Sequence, residues 1–242
     1  MRIATWNLNN RVGKVRFRPE AARAAIGLDA DLLVLTEFYP QEHERAFRTK
    51  LEDAGWAHQI MSADMGEVAN RVLVASRVRI ESLDMELPEF DMQFPSNLIG
   101  VHVPSTGLSI VAVRIPAYSG SEKSSLARAW DWLEQTARAL RDRPAVILGD
   151  LNVASASPAS RGGDHFRRIL GDGWKRAQPL GGASFYGHGN VRSEIDHILG
   201  TKRCEFDDAA YVLESGAFRL SGTANSLSDH AALVCQVKIQ QA

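Results

Sequence analysis

Short runs of valine, isoleucine and leucine recur along the whole chain and limit most strongly what it can fold into. Such runs occupy residues 32–35, 71–75, 108–115 and 145–148. Runs this short and this apolar are typical of strands that are covered on both faces. Residues 231–239 alternate more strongly between apolar and polar side chains, which favours pairing in a hairpin.

Apolar residues at helical spacing lie between these runs. Pro19 suits the first turn of a helix over residues 20–28. A second helix is predicted over residues 121–141, with Ser119 and Glu122 as its capping box. Strands and helices mixed without strict alternation indicate an α/β fold with mixed sheets. Because the chain shows no linker, repeat or break in composition, we expect one domain over residues 1–242.

Composition excludes several classes of protein. A chain of 242 residues can bury a large core without disulfides or a structural metal. Its 28 basic and 29 acidic residues give a net charge of −1, so only a local patch could attract nucleic acid or anionic lipid. Cys204 and Cys235 form no Cys-x-x-Cys pair, which argues against a thiolate zinc site. No run is long enough to span a membrane and no signal peptide is evident, so we expect a cytoplasmic protein, by default a monomer.

Several common catalytic motifs are absent. The chain has no G-x-S-x-G nucleophile elbow, no P-loop and no G-x-G-x-x-G. His43-Glu44 is followed by Phe47 where the helix of a zinc protease would need a second histidine. Hydride transfer, phosphoryl transfer by a P-loop and zincin proteolysis therefore lose support.

Acidic and amide residues instead stand at the ends of apolar runs. The set is Asn7, Glu37, Asp150, Asn152, Asp196 and Asp229, and the neighbouring His230 completes it. A strand end can hold such a side chain rigidly at a cleft, and hard oxygen ligands favour Mg²⁺ or Mn²⁺ over zinc. Each residue alone is typical of a turn or a helix cap, but their ordered combination predicts a site.

This combination resembles the endonuclease/exonuclease/phosphatase superfamily, which includes exonuclease III-type abasic endonucleases, deoxyribonuclease I-type nucleases and inositol-phosphate 5-phosphatases. The matching pieces are Thr5-Trp6-Asn7, Leu35-Thr36-Glu37, Gly149-Asp150-Leu151-Asn152, Ile195-Asp196-His197-Ile198-Leu199 and Ser228-Asp229-His230. They span nearly the whole chain. The resemblance implies a four-layer α/β sandwich, with two packed mixed sheets and helices outside.

The resemblance also implies a metal site. Glu37 is expected to be the principal ligand of Mg²⁺, with Mn²⁺ as a substitute. Asn7 and Asp229 are expected to complete the site, directly or through water. Hydrolysis of a phosphodiester by in-line attack builds negative charge that a divalent cation opposes.

The remaining residues receive catalytic roles from the same resemblance. Asp150 is expected to orient and deprotonate the attacking water, and Asn152 to hold that water or a phosphate oxygen. His230 is expected to bind the phosphate in the transition state. Asp196 would hydrogen-bond behind His230, raise its pKa and fix its tautomer.

One position departs from the family pattern. A histidine or tyrosine that assists the leaving group is expected near the end of the 108–113 strand, but alignment on Pro116 places Arg114 there and Tyr118 four residues later. Arg114 can grip phosphate with two donors but hardly donates a proton. A plain salt bridge at a strand end is the alternative for Arg114.

A basic segment favours nucleic acid as the leading substrate. Residues 11–23 carry five basic side chains against one acid, and Arg11 stands closest after Asn7, where it could contact phosphates. A solvated loop and helix face is the alternative for this segment. A small phosphorylated metabolite or lipid headgroup is the alternative substrate, favoured by the charge of −1 and by Arg114. A non-catalytic binding module on the same fold is the alternative class of function. The intact set of acidic residues argues against this alternative.

Overall fold

The structure is a computed structural model, and it describes residues 1–13, 16–66, 70–87, 94–117, 123–154 and 156–240. Within these residues the framework is a pair of six-stranded sheets with four α-helices.

The first sheet has the strand order β13-β16-β1-β2-β4-β3. Its strands are β1 (Arg2–Asn7), β2 (Leu32–Phe38), β3 (His58–Met61), β4 (Arg71–Ser76), β13 (Cys204–Val212) and β16 (Ala232–Ile239). β1 runs parallel to β2 and antiparallel to β16. The first and last strands of the chain are therefore neighbours at the centre of one sheet.

The second sheet has the order β5-β6-β7-β8-β12-β9. Its strands are β5 (Glu81–Ser82), β6 (Leu98–Val103), β7 (Leu108–Val113), β8 (Ala145–Asp150), β9 (Lys175–Arg176) and β12 (Asp196–Gly200). β7 and β8 are parallel, and β12 lies antiparallel to β8, with Asp196 opposite Asp150. Two small hairpins complete the strands: β10 (Phe185–Tyr186) with β11 (Arg192–Ser193), and β14 (Glu214–Ser215) with β15 (Phe218–Arg219).

Three separate clusters of buried side chains show how the layers stack. The cluster between the sheets joins Ile3 and Val34 of the first sheet to Ile110 and Ile198 of the second. A second cluster packs the first sheet against α1 (Glu20–Ile26) and α2 (Glu44–Asp53). The third packs the second sheet against α3 (Lys123–Leu140) and α4 (Gly163–Gly171). This is the predicted four-layer α/β sandwich.

Burial on both faces explains why the strands are almost continuously apolar. Neighbouring residues of a strand point to opposite faces. In β1, Ile3 therefore enters the cluster between the sheets while Ala4 enters the cluster under the helices. Each apolar residue of such a strand has a core to occupy, as the sequence pattern predicted.

The predicted helices form and end slightly earlier than expected. α1 ends at Ile26 rather than at 28, and α3 (Lys123–Leu140) ends at 140 rather than at 141. The capping box of Ser119 with Glu122 lies outside the described residues. Within the described parts of the chain, no helix has the length and apolarity to cross a bilayer.

Candidate active site

Asp150, the last residue of β8, is the most strongly held of the predicted site residues. Its Oδ2 accepts hydrogen bonds from Asn7 Nδ2 at 2.9 Å and from Asn152 Nδ2 at 3.2 Å, and its Oδ1 accepts the backbone N–H of Asn152 at 3.0 Å. Burial, reinforced by the charge of Asp196, raises the pKa of Asp150 to about 6. A buried carboxylate with this pKa is well suited to take a proton near neutral pH.

Asp196 and His230 form a second buried pair beside Asp150. The Nδ1 of His230 lies 2.7 Å from Asp196 Oδ2. Although burial alone would lower the pKa of His230, the charge and hydrogen bond of Asp196 raise it to about 10. The imidazole is therefore held as a cation, with its Nδ1–H donated to Asp196.

The turn that carries His230 is fastened to β1. The hydroxyl of Ser228 donates to the carbonyl of Asn7 at 2.7 Å and accepts the N–H of His230 at 3.0 Å. The indole of Trp6 donates to the carbonyl of His230 at 3.0 Å. Because the contacts of Ser228 with Asn7 and of Trp6 with His230 join residues more than 220 positions apart, they form only when β1 and β16 are paired.

Glu37 and Arg114 form an ion pair at the edge of the site. Arg114 Nε and Nη2 both contact Oε1 of Glu37, at 3.0 and 2.9 Å. The side chains are only 16% and 14% exposed, so solvent screens this pair less than a surface salt bridge. The salt-bridge alternative for Arg114 is thus realised, but its partner is the predicted metal ligand.

Strained backbone is concentrated at this site. Asn9, Asn10, Glu37 and Asn152 all have left-handed φ angles, between 46° and 58°. At Glu37 the register of β2 against β4 also shifts, which marks a bulge. Such conformations cost free energy and persist where the surrounding fold imposes them, often at functional sites.

Two groups of side chains could hold a divalent cation. Asp150, Asp196 and His230 bring one donor atom each within 4.8 Å of one another. In this group the Nδ1 of His230 already hydrogen-bonds Asp196 and Asp150 accepts three hydrogen bonds, while Oδ1 of Asp196 is buried without a partner among the described residues. The other candidate group is the predicted ligand pair Glu37 and Asp229, which are linked through the consecutive residues Asn10 and Asn9 that contact them.

The second group has the donor chemistry that Mg²⁺ prefers. Glu37 and Asp229 offer carboxylate oxygens, and Asn10 Nδ2 lies 3.4 Å from Glu37 Oε2. The Oδ1 of Asn10 is buried and accepts no hydrogen bond from the described residues. An all-oxygen set with one unsatisfied buried acceptor fits a hard divalent cation.

Arg11 and Tyr118 complete the account of the predicted site residues. The Nε of Arg11 donates to the carbonyl of Leu227, which places Arg11 against the turn that carries Asp229. Burial, followed by the neighbouring charges of Arg18 and Arg16, lowers its pKa. Tyr118 lies outside the described residues.

Three contacts at the site were not anticipated from the sequence. Asn9 Nδ2 donates to Asp229 Oδ1 at 2.7 Å, Asn10 contacts Glu37, and the ring of Phe185 lies 5.2 Å from that of His230. Asparagine is enriched in left-handed backbone, so the Asn9-Asn10 pair could have marked a turn. Nothing in the sequence showed which carboxylates that turn would meet.

Comparison with known proteins settles the family. The model of the endonuclease/exonuclease/phosphatase family matches residues 4–230. The chain belongs to this family. Its members hydrolyse phosphate esters, in agreement with the resemblance noted from the motifs.

Solved structures of similar fold cover almost the whole chain. A 3′ phosphatase from Neisseria bound to a product DNA hairpin has a TM-score of 0.77 at 22% identity, over 98% of this chain and 99% of its own. An AP endonuclease from Archaeoglobus fulgidus has a TM-score of 0.71 at 19% identity, over 99% and 100%. A 3′-5′ exonuclease from Neisseria meningitidis has a TM-score of 0.72 at 19% identity, over the full length of both chains. No curated protein matches the sequence.

Proposed function

We propose that this protein is a Mg²⁺-dependent phosphoesterase that hydrolyses phosphodiesters of nucleic acid, with DNA as the first candidate. The proposal rests on two hydrogen-bonded groups of side chains that lie next to each other in the protein interior. One group is Asp150 with Asn7 and Asn152, and the other is Asp196 with His230. The first group can accept a proton and the second can oppose negative charge.

Asp150 is the general base of the proposal. Its three hydrogen bonds fix the carboxylate, and a pKa of about 6 leaves it mostly ionised at neutral pH. It would take the proton from the water that attacks phosphorus. Asn152, whose amide also donates to the carbonyl of Ile115 at 2.8 Å, holds the loop behind it rigid and remains the predicted contact of the water or a phosphate oxygen.

His230 is the cation that faces the developing charge on the phosphate oxygens. Asp196 binds its Nδ1–H and leaves Nε2–H as the donor toward substrate. The guanidinium of Arg114 adds a fixed positive charge beside Glu37 and is proposed to bind phosphate.

Glu37 and Asp229 are the proposed ligands of Mg²⁺, for which Mn²⁺ could substitute. Asn7 stays in the predicted set through a water molecule, because both polar atoms of its amide are hydrogen-bonded within the protein. When bound, the cation would supply Lewis-acid stabilisation of the phosphoryl charge.

Basic side chains beside the site favour a nucleic acid substrate. Arg16 and Arg18 are exposed and lie in the same loop as Arg11, which is fastened to the turn that carries Asp229. Repeated phosphates can engage several such side chains at once. Two of the similar structures are named as a DNA-bound 3′ phosphatase and an AP endonuclease, which supports DNA as the polymer to test first.

The test is Mg²⁺-dependent cleavage of end-labelled duplex DNA. Three substrates are compared: an intact duplex, one with a single abasic site and one with a 3′-phosphate end. Asp150→Asn should keep the fold and lower turnover about 10²-fold or more. The matched control is Asp142→Asn on the exposed surface, which should cleave like wild type. Equal cleavage by wild type and Asp150→Asn would refute the role of the base.

A small phosphodiester is the second candidate substrate, and Arg114 is the observation that favours it. This residue stands where a histidine or tyrosine that assists the leaving group was expected, and an arginine hardly donates a proton. Salt separates the candidates: binding through several backbone phosphates weakens steeply between 50 and about 200 mM salt, whereas binding of a small substrate changes little.

A further inference from the structure

Two consecutive asparagines follow the end of β1 in an unusual conformation. The φ angles are 46° at Asn9 and 58° at Asn10. The backbone N–H of Asn9 donates to Oδ1 of Asn7 at 2.9 Å, which closes the turn on the residue that also holds Asp150. The turn is therefore built onto the catalytic strand rather than free in solvent.

Asn9 orients the carboxylate of Asp229. Its Oδ1 accepts a hydrogen bond from the guanidinium of Arg16, which can only donate. That contact leaves the amide nitrogen to face Asp229 Oδ1, at 2.7 Å. Ser228 also contacts Oδ1, at 3.4 Å, so the hydrogen bonds to Asp229 from the described residues fall on Oδ1, and Oδ2 can face a cation.

Asn10 is placed against Glu37 on the other side of the turn. Its Nδ2 lies 3.4 Å from Oε2, while Arg114 contacts Oε1. The Oδ1 of Asn10 is buried and has no donor among the described residues. A buried carbonyl oxygen without a partner costs free energy unless a cation or water satisfies it.

We propose that Asn9 and Asn10 are positioning residues of the metal site: Asn9 orients Asp229, and Asn10 orients Glu37 and offers its own oxygen to the divalent cation. This inference rests on the proposed function, which places the cation at Glu37 and Asp229. Partners that orient metal ligands typically change metal affinity by about 10–100-fold.

Glycine variants test the side chains without disturbing the turn. Because glycine adopts left-handed backbone freely, Asn9→Gly and Asn10→Gly remove the amides and preserve the backbone. We expect each to raise the Kd for Mn²⁺ about tenfold or more, measured on the full chain without substrate by electron paramagnetic resonance. Asn190→Gly is the matched control, because Asn190 is also left-handed, with φ 66°, but is exposed. It should bind Mn²⁺ like wild type.

Two further measurements separate positioning from general damage. Excess Mg²⁺ should restore most of the turnover of both glycine variants, because the cation is bound weakly but the base is intact. Asn10→Asp keeps an oxygen at this position and should bind Mn²⁺ at least as tightly as wild type. Binding as weak as that of Asn10→Gly would overturn the ligand role of the oxygen.

Carboxylate variants distinguish failure of this inference from failure of the proposed function. If Glu37→Gln abolishes Mn²⁺ binding but both glycine variants bind normally, the positioning role is wrong and the proposed metal site stands. If Glu37→Gln and Asp229→Asn both bind Mn²⁺ like wild type, the cation lies elsewhere and both proposals fail. Circular dichroism and thermal unfolding of every variant show that the fold is intact.

Discussion

His197 is a buried, neutral histidine that should make folding sensitive to acid. It lies in β12, opposite Gly149, and its Nε2 donates to the carbonyl of Val153 at 2.7 Å. Only 1% of the residue is exposed, and its ring lies 4.8 Å from that of Phe166. Burial lowers the pKa of His197 to about 4. The residue thus holds the loop after Asp150 from inside the core.

Acid destabilises the folded protein because His197 takes up a proton more readily in the unfolded chain. In the unfolded chain the imidazole takes a proton near its ordinary pKa of 6.5, whereas the folded protein resists this until about 4. Protonation between these values favours the unfolded state. The contribution of neutral His197 to the free energy of unfolding is complete above pH 6.5. It is lost as the pH falls from there through the folded pKa of about 4. The linkage relation gives a loss of about 2 kcal/mol at pH 5 and about 3 kcal/mol at pH 4.

The assay is the free energy of unfolding in urea between pH 7.5 and 4, for wild type and His197→Gln. Glutamine can place an amide donor near Val153 but cannot be protonated. On acidification the unfolding free energy of the variant should therefore fall less than that of wild type, by the amounts given above. Other groups titrate equally in both proteins and cancel in the difference. His58→Gln, on an exposed position of β3, is the control and should follow wild type. Parallel pH profiles for wild type and His197→Gln would refute the reasoning.

Three more outcomes follow from individual contacts. Gly149 has a φ of 141°, and a Cβ there would lie 1.9 Å from a carbonyl oxygen of β7, so Gly149→Ala should abolish soluble expression or lower the unfolding free energy by more than about 3 kcal/mol. Trp6→Phe removes the donor to the carbonyl of His230 and leaves that buried acceptor unpaired, which should cost about 1–3 kcal/mol by urea unfolding. Arg114→Gln leaves the Glu37 carboxylate without its cation, so added Mg²⁺ should raise the Tm of this variant more than that of wild type; an equal rise would contradict the pairing.

The sequence by itself determined the architecture and the chemical class. The doubly apolar strands require cores on both faces of each sheet, and the three buried clusters provide them. The motifs at the strand ends identified the family, because strand ends fix where side chains such as Asp150 and Asp196 must stand. The apolar runs are local in sequence and predicted covered strands in an α/β fold, whereas the four-layer arrangement and the chemical class were implied by the resemblance of the motifs to the family.

Only the tertiary structure decided how those residues are connected. Asn7 meets Asp150 across 143 positions, and Arg114 pairs with Glu37 across 77. The carboxylates that Asn9 and Asn10 contact belong to β2 and to the turn before β16, which no local pattern links to β1. Burial in the packed fold raises the pKa of Asp150 and lowers that of His197, whereas the neighbouring Asp196 raises the pKa of His230 against the effect of burial.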